Sequence, residues 1–161
     1  MDELLERWAL RLEIEELYAA YAECLDDGEI ERWPELFTED GLYKIVPRDN
    51  YERNLPLALM LCESRGMLHD RVEALQRSSV YAPRSLRHIV SSLRLKEQSS
   101  GLTRCAANYA VFETPLDELT RVFAVGRYLD VIVRVDGALR FRERICILDS
   151  VVVPGSLVYP L

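Results

Sequence analysis

Two histidines and a small group of tyrosines are the residues of this chain whose side chains could move protons. Tyr18 and Tyr21 fall on one face of a predicted helix, Tyr43 on a predicted strand and His88 on a later strand. A histidine whose pKa is tuned near neutral pH can act as an acid or a base. Tyr18, Tyr43 and His88 are therefore the candidate catalytic residues. The competing interpretation, which we favour, is that they fill a hydrogen-bonded core.

Metal binding is the second chemistry to consider, and it needs several convergent ligands. The chain has no CxH…CxxH pattern of the kind that holds a Rieske cluster. Four cysteines are widely spaced and form no CxxC pair, namely Cys24, Cys62, Cys105 and Cys146. We expect them to be small buried residues, and we predict no metal and no cofactor on this chain.

Two further polar groups have simpler explanations than catalysis. His69 and Asp70 lie on the polar side of a predicted helix, where we expect them to be solvated. Asp40 belongs to the segment Thr38-Glu39-Asp40-Gly41, whose residue types are typical of a turn. We expect Asp40 to stabilise that turn and not to abstract a proton.

Length, charge and missing motifs narrow the function further. The chain has 161 residues, which we expect to form one domain over 1–161. A net charge of −7 argues against a nucleic-acid partner. No GxSxG, P-loop or GxGxxG motif occurs, and no apolar run approaches the roughly 18 residues of a membrane span. With an acidic start and no signal-peptide pattern, we expect a cytoplasmic protein without membrane contact.

The elements that must position these side chains change character along the chain. Apolar residues recur at helical spacing over 3–26, and residues 29–37 resemble a short second helix bent around Pro34. The turn at 38–41, a strand at 43–46 and a loop from Pro47 to Pro56 come next. Ser64 is placed to cap a third helix with Met67, Leu68, Val72 and Leu75 on one face.

After Pro83 the period becomes two, which is the period of a β-strand. We predict strands over 86–95, 104–114, 121–135 and 138–150, with Asp136-Gly137 forming a tight hairpin turn. In the first of them His88 shares a face with Leu86 and Val90. Helices followed by antiparallel strands predict an α+β fold.

The strands also carry many arginines: Arg84, Arg87, Arg94, Arg104, Arg121, Arg127, Arg134, Arg140, Arg142 and Arg144. They could pair with acidic residues on neighbouring strands. Some could instead bind carboxylates of a partner. The sequence leaves both uses open.

Several long stretches resemble the small (β) subunits of aromatic-ring-hydroxylating dioxygenases, in the nuclear-transport-factor-2-like superfamily. They are residues 32–75, residues 80–95 (VYAPRSLRHIVSSLRL) and the tail 140–161 (RFRERICILDSVVVPGSLVYPL). The resemblance is strongest to the aromatic-acid members of the terephthalate, salicylate and anthranilate kind. It implies a cone of about three helices packed in a strongly curved, mixed but mainly antiparallel sheet of about six strands.

The resemblance also implies a role without chemistry of its own. In that family the α subunit carries a Rieske 2Fe-2S cluster and a mononuclear Fe(II), and NAD(P)H supplies electrons through a reductase. The β subunit forms a homotrimer within an α3β3 assembly and is mostly structural. The alternative is an isomerase or dehydratase of the same superfamily, which would work inside the cone through Tyr18, Tyr43 and His88. The chain has no Asp on the strand after Asp40 to complete the isomerase trio.

Overall fold

The computed structural model describes residues 1–78, 83–153 and 157–161. Two 3-10 turns, Ile30–Arg32 and Pro34–Leu36, connect the first helix to the first strand. The other elements are α1 (Asp2–Asp26), β1 (Phe37–Pro47), α2 (Arg48–Glu52), β2 (Met60–Cys62), α3 (Arg65–Arg77), β3 (Arg84–Ser99), β4 (Leu102–Pro115), β5 (Arg121–Val135) and β6 (Ala138–Leu148).

The six strands form one sheet in the order β2-β1-β6-β5-β4-β3. All neighbouring pairs are antiparallel except β1 and β6, which run parallel. Register shifts interrupt four of the five pairings, and such bulges bend a strand and increase its twist. With α1 against β3 and β6, and α3 against β1, the α+β fold with a mixed six-stranded sheet is confirmed.

Helix α1 has two very different halves. Its second half buries Ile14, Leu17, Tyr18, Tyr21 and Leu25 at helical spacing against the inner face of the sheet. Residues 1–9, in contrast, are all exposed. The core therefore begins only after the first turns of this helix.

The other predicted boundaries hold in most places. Ser64 caps α3 by accepting a hydrogen bond from the Met67 backbone N–H at 3.2 Å. Asp136 and Gly137 join β5 to β6 with φ angles of 50° and 82°, as the tight hairpin requires. In β3, Leu86 and His88 are buried while Arg87 is exposed, which confirms the predicted alternation.

Three predictions were wrong in detail. Residues 38–41 lie inside β1 as a bulge and do not form a free turn, because the register shifts between Phe37 and Leu42. The segment predicted as a loop after Pro47 contains the short helix α2. The predicted second helix is two 3-10 turns, and the second of them begins at Pro34, whose fixed φ suits a first helical position.

Aromatic side chains fill much of the space between the helices and the sheet. The largest fully buried ones are Trp33, Tyr21, Tyr43, Tyr109, Tyr128, Phe37 and Phe141. Among the described residues, no helix is both long and apolar enough to cross a membrane.

Candidate functional site

A buried ion pair lies at the centre of the cone. Asp130 on β5 and Arg144 on β6 are direct cross-strand partners. Arg144 donates from Nε and Nη2 to the two carboxylate oxygens of Asp130, at 2.9 and 2.8 Å. The Tyr18 hydroxyl of α1 donates to the same carboxylate. Helix and sheet are thus joined through one charge-balanced group.

Four aromatic rings enclose the guanidinium of Arg144. Its central carbon lies 3.9 to 4.7 Å from the ring centroids of Tyr128, Phe141, Tyr21 and Tyr18. Stacking of this kind stabilises a cation that has lost its water. Burial disfavours the charged form, but attraction and hydrogen bonds to Asp130 raise the pKa of Arg144 well above its usual value.

Tyr18 is unsuited to act as a base in this setting. Burial, followed by the nearby Asp130 charge, raises the pKa of its hydroxyl well above the usual range. The hydroxyl is therefore a neutral donor at neutral pH, and its proton already points at Asp130. Its role in the structure is to hold α1 against the sheet.

Tyr43 lies in a different part of the core. Its hydroxyl accepts a hydrogen bond from the Leu161 backbone N–H at 2.8 Å and is 3.3 Å from the Leu161 carbonyl oxygen. The Tyr21 hydroxyl donates to the same carbonyl. Tyr159 donates to the Leu25 carbonyl at 3.2 Å, so residues 157–161 are tied to α1 and β1. Tyr43 anchors this segment and does not face His88.

His88 is held by Asp26, the last residue of α1. Its Nδ1 lies 2.6 Å from Asp26 Oδ1, and its backbone N–H donates to both carboxylate oxygens at 2.9 and 3.1 Å. Because a carboxylate accepts hydrogen bonds, we assign the proton of the imidazole ring to Nδ1. The side chain is 0% exposed, and Nε2 has no partner among the residues that the structure describes. Neither ring nitrogen of His88 is exposed to solvent in this arrangement.

Two clefts open along the line where α1 meets β3. The inner cleft, of about 320 Å³, has Tyr18, Ala19, Ala22 and His88 in its wall. It is the place where two of the three candidate residues meet. The Tyr18 hydroxyl and His88 Nδ1 are engaged elsewhere, however, with Asp130 and Asp26. Because Tyr43 is absent from this wall, the structure does not assemble the three residues into one acid-base site.

The remaining polar candidates lie at the surface, as expected. His69 is half exposed, with Nε2 3.2 Å from Glu35. Asp40 is largely exposed, accepts a hydrogen bond from Thr38 at 2.8 Å and lies 3.9 Å from Arg142. Neither side chain points into the cone.

The donor atoms needed for iron are not brought together in the described part of the chain. All four cysteines are buried, and burial raises the pKa of Cys24, Cys105 and Cys146 to about 12. Within residues 1–78, 83–153 and 157–161, no group of three histidine, cysteine or acidic side chains could hold a metal ion. A Rieske cluster or a mononuclear iron does not fit these residues.

Half of the ten strand arginines pair with acidic residues of neighbouring strands, namely Arg84, Arg104, Arg121, Arg142 and Arg144. Glu113 is buried and accepts hydrogen bonds from Arg84 and Arg121, each at 2.7 Å. These bonds lower the pKa of Glu113, although burial opposes the shift. The sequence had left pairing and partner binding open, and pairing within the sheet accounts for these arginines.

The residues that organise the interior were only partly visible in the sequence. Neither Asp26 nor Asp130 was singled out from the sequence. A signal did exist, because Asp130 and Arg144 each take an inward position on an alternating strand. The register of the Asp136-Gly137 turn alone would place Asp130 opposite Glu143. The register shift between Val131 and Ile132 brings it opposite Arg144, and that shift has no signal in the sequence.

Comparison with known proteins agrees with this arrangement. The model of the ring hydroxylating beta subunit family matches residues 20–155. The chain is 35% identical to the anthranilate 1,2-dioxygenase small subunit of Burkholderia cepacia, over the full length of both chains. It is 32% identical to a terephthalate 1,2-dioxygenase terminal oxygenase subunit beta of Comamonas sp., covering 93% of this chain and 97% of that one.

Solved structures show the same architecture. One is the crystal structure of a β subunit from Novosphingobium aromaticivorans. The protein is named as part of an aromatic-ring-hydroxylating dioxygenase, and that name is itself an inference. The crystal structure superposes with a TM-score of 0.88 at 35% identity, over 96% of this chain and 99% of that one. The benzoate 1,2-dioxygenase β subunit of Burkholderia mallei, at 16% identity, has a TM-score of 0.71 over 84% of this chain and 88% of its own, and shows the fold alone.

Proposed function

Because the chain belongs to the family of ring-hydroxylating β subunits, we propose that it is the non-catalytic β subunit of an aromatic-ring-hydroxylating dioxygenase. The observation that carries this proposal is the 35% identity to a dioxygenase small subunit over the full length of both chains. A match of that extent leaves no large segment of this chain outside the β-subunit pattern.

The interior of the cone supports a structural role. Where an enzyme of this superfamily would hold substrate, this chain has the Asp130–Arg144 pair and the rings around it. A buried pair of charges joined by two hydrogen bonds favours one arrangement of helix and sheet, although Arg144 Nη1 has no partner among the described residues. That property suits a subunit whose task is to present a rigid surface.

The chemistry would belong to the partner. We propose that an α subunit with a Rieske 2Fe-2S cluster and a mononuclear Fe(II) binds this chain in an α3β3 complex. The β chains would form a homotrimer within it, each as one domain over 1–161. Electrons would come from NAD(P)H through a reductase, and the complex would work in the cytoplasm. The named activities of the relatives suggest an aromatic carboxylate as substrate.

An isomerase or dehydratase remains the competing hypothesis. It would need Tyr18, Tyr43 and His88 to act on one ligand. Each of the three residues instead has a different partner within the chain, which argues against an acid-base site. Tyr18 contacts Asp130, Tyr43 contacts Leu161 and His88 contacts Asp26.

The proposal is tested by tagging the chain in its own cell and purifying it under mild conditions. We expect a larger iron–sulfur protein to co-purify in equal amount, and the pair, with a reductase and NAD(P)H, to hydroxylate an aromatic acid such as anthranilate or terephthalate. Removing the β chain from the complex should abolish assembly. A chain that purifies without any iron–sulfur partner and converts a ligand by itself would contradict the proposal.

A further inference from the structure

The outer of the two clefts beside α1 has an unusual wall for an acidic protein. This α1 cleft, of about 580 Å³, is lined by Leu4, Arg7, Trp8, Arg11, Arg94 and Leu95. Three of these six side chains are apolar and three are arginines, although the chain as a whole has a net charge of −7. Arg11 pairs with Glu15 at 2.9 Å. Arg7 and Arg94 make no ion pair with another described residue.

The helix that forms this cleft is poorly covered by its own chain. Leu4, Leu5, Trp8 and Leu12 are each more than half exposed, and Trp8 is 58% exposed. An isolated helical turn is marginal in water, and contiguous exposed apolar surface usually marks an interaction site. The first turns of α1 therefore have the properties of a surface that is covered in the assembled protein.

A second exposed apolar feature lies at the turn between β4 and β5. This β4–β5 tip consists of residues 116–120, all of which are exposed. Leu116 is 78% exposed and Leu119 is 90% exposed, and Asp117 and Glu118 stand between them. Glu118 has Arg121 as a partner at 3.1 Å, whereas Asp117 makes no ion pair with any residue that the structure describes.

The β4–β5 tip and the α1 cleft complement each other in apolar character and in charge. The tip offers two leucines flanking two carboxylates, and the lining of the cleft combines apolar side chains with arginines. Specific protein interfaces commonly have an apolar centre. Around it, charged groups of one partner face opposite charges of the other partner. No other described acidic protrusion carries a pair of leucines exposed to this degree.

The tip cannot reach the cleft of its own chain. Arg84, at one end of β3, pairs with Pro115 beside the tip, while Arg94 lies ten residues further along the same strand, at the cleft. At the rise of an extended strand this separation is roughly 33 Å. The contact can form only between two copies.

We propose that the β4–β5 tip of one copy docks in the α1 cleft of the next copy, head to tail. Two different patches in contact make a heterologous interface, which closes into a ring when the rotation per copy permits. The inference rests on the proposed homotrimer and identifies the surfaces that form it.

The test uses two substitutions that each break one side of the contact. Trp8→Glu damages the cleft and leaves the tip intact, and Leu119→Glu does the reverse. Both side chains are exposed, so the circular dichroism spectrum should match that of the parent chain. Leu57→Glu is the matched control, because Leu57 is 67% exposed and belongs to neither patch.

Sedimentation of the full-length chain gives the result. We expect the parent and Leu57→Glu to sediment as trimers, and each interface variant to sediment as a monomer, with self-association weakened tenfold or more. An equimolar mixture of the two variants should form a heterodimer, because the intact tip of one still fits the intact cleft of the other. An isologous interface cannot give that complementation.

Charge reversal provides a second measurement that does not depend on the apolar substitutions. The double variant Arg7→Glu, Arg94→Glu should weaken the trimer, and Asp117→Arg alone should weaken it as well. A chain that carries all three changes should recover part of the association, because the charges are again opposite.

Other outcomes overturn the inference and separate it from the proposed function. A monomeric parent chain, or variants that stay trimeric, would refute this interface while leaving the co-purification test of the proposed function intact. Variants that stay trimeric but lose the iron–sulfur partner would assign these patches to the α subunit. A mixture that fails to form the heterodimer would rule out the head-to-tail geometry.

Discussion

The guanidinium of Arg144 and the carboxylate of Asp130 form a two-point ion pair in which neither side chain is exposed to solvent. The pair links the two strands that follow each other through the Asp136-Gly137 turn, and Tyr18 adds α1 to it. Because four rings surround the cation, loss of its carboxylate partner would leave a desolvated charge in the middle of the core.

Asp130→Asn should therefore be strongly destabilising. Removing one partner of a buried pair typically lowers the free energy of unfolding by about 3–5 kcal/mol. Urea unfolding followed by circular dichroism measures the loss. Asp136→Asn, the same chemical change at an exposed turn residue, should stay within about 0.5 kcal/mol of the parent chain. Equal effects at the two positions would show that the buried pair is not needed for stability.

Gly126 provides a second test of the packing. A Cβ at this position would lie 1.8 Å from the Ile147 carbonyl oxygen and 2.8 Å from the Tyr109 hydroxyl, which itself contacts that carbonyl at 3.2 Å. Gly126→Ala should lower the free energy of unfolding by about 1–3 kcal/mol or more, as overpacking does. Gly66→Ala is the control, because its Cβ would meet only Ser64 Oγ at 3.7 Å and alanine favours the helix. A neutral Gly126→Ala would mean that β5 and β6 are further apart.

The buried thiols predict a loss of stability at alkaline pH. Burial raises the pKa of Cys24, Cys105 and Cys146 to about 12, whereas an unfolded thiol ionises near pH 8.5. The unfolded chain then releases more protons than the folded chain, so the stability is complete below about pH 8 and decreases as the pH rises through 9 and above.

Thiol titration checks the same point directly. At pH 8 the folded chain should react slowly with an aromatic disulfide reagent, and all four thiols should react after unfolding in urea. Rapid reaction of any one of these thiols in the folded chain would contradict the burial on which this prediction depends.

The fold was largely accessible from the sequence because its signals are local. Helical spacing in α1, the Ser64 cap and the Asp136-Gly137 turn each depend on a few neighbouring residues. The bulge at residues 38–41 was misjudged because turn-type residues also occur within a strand where the register of a parallel partner slips. The parallel pairing of β1 with β6 depends on residues about 100 positions apart, and no local pattern reports it.

The candidate site was less accessible for the same reason. Tyr18 and His88 were selected by residue type and face, and both are buried as expected. The sequence does not indicate the partner of His88, which is Asp26 at the end of α1. The packing of α1 across β3 determines which side chain lies beside the His88 ring.

Iron content tests the division of labour between the subunits. The purified chain should hold well under one iron per chain, because its described histidines and cysteines do not converge on one point. Elemental analysis of the isolated chain and of the co-purified complex makes the comparison. One tightly bound iron per isolated chain would mean that this subunit takes part in the chemistry.

The turnover of a complex assembled with His88→Gln tests most directly whether this chain supports the reaction without performing it. Losing the bond to Asp26 should lower the stability of the chain by about 1–3 kcal/mol, which reduces the fraction of complex that assembles. His69→Gln, at a half-exposed site, is the matched control. Turnover per assembled complex should equal that of the parent for both variants. A fully assembled His88→Gln complex whose turnover is reduced a hundredfold would contradict the account and assign proton transfer to His88.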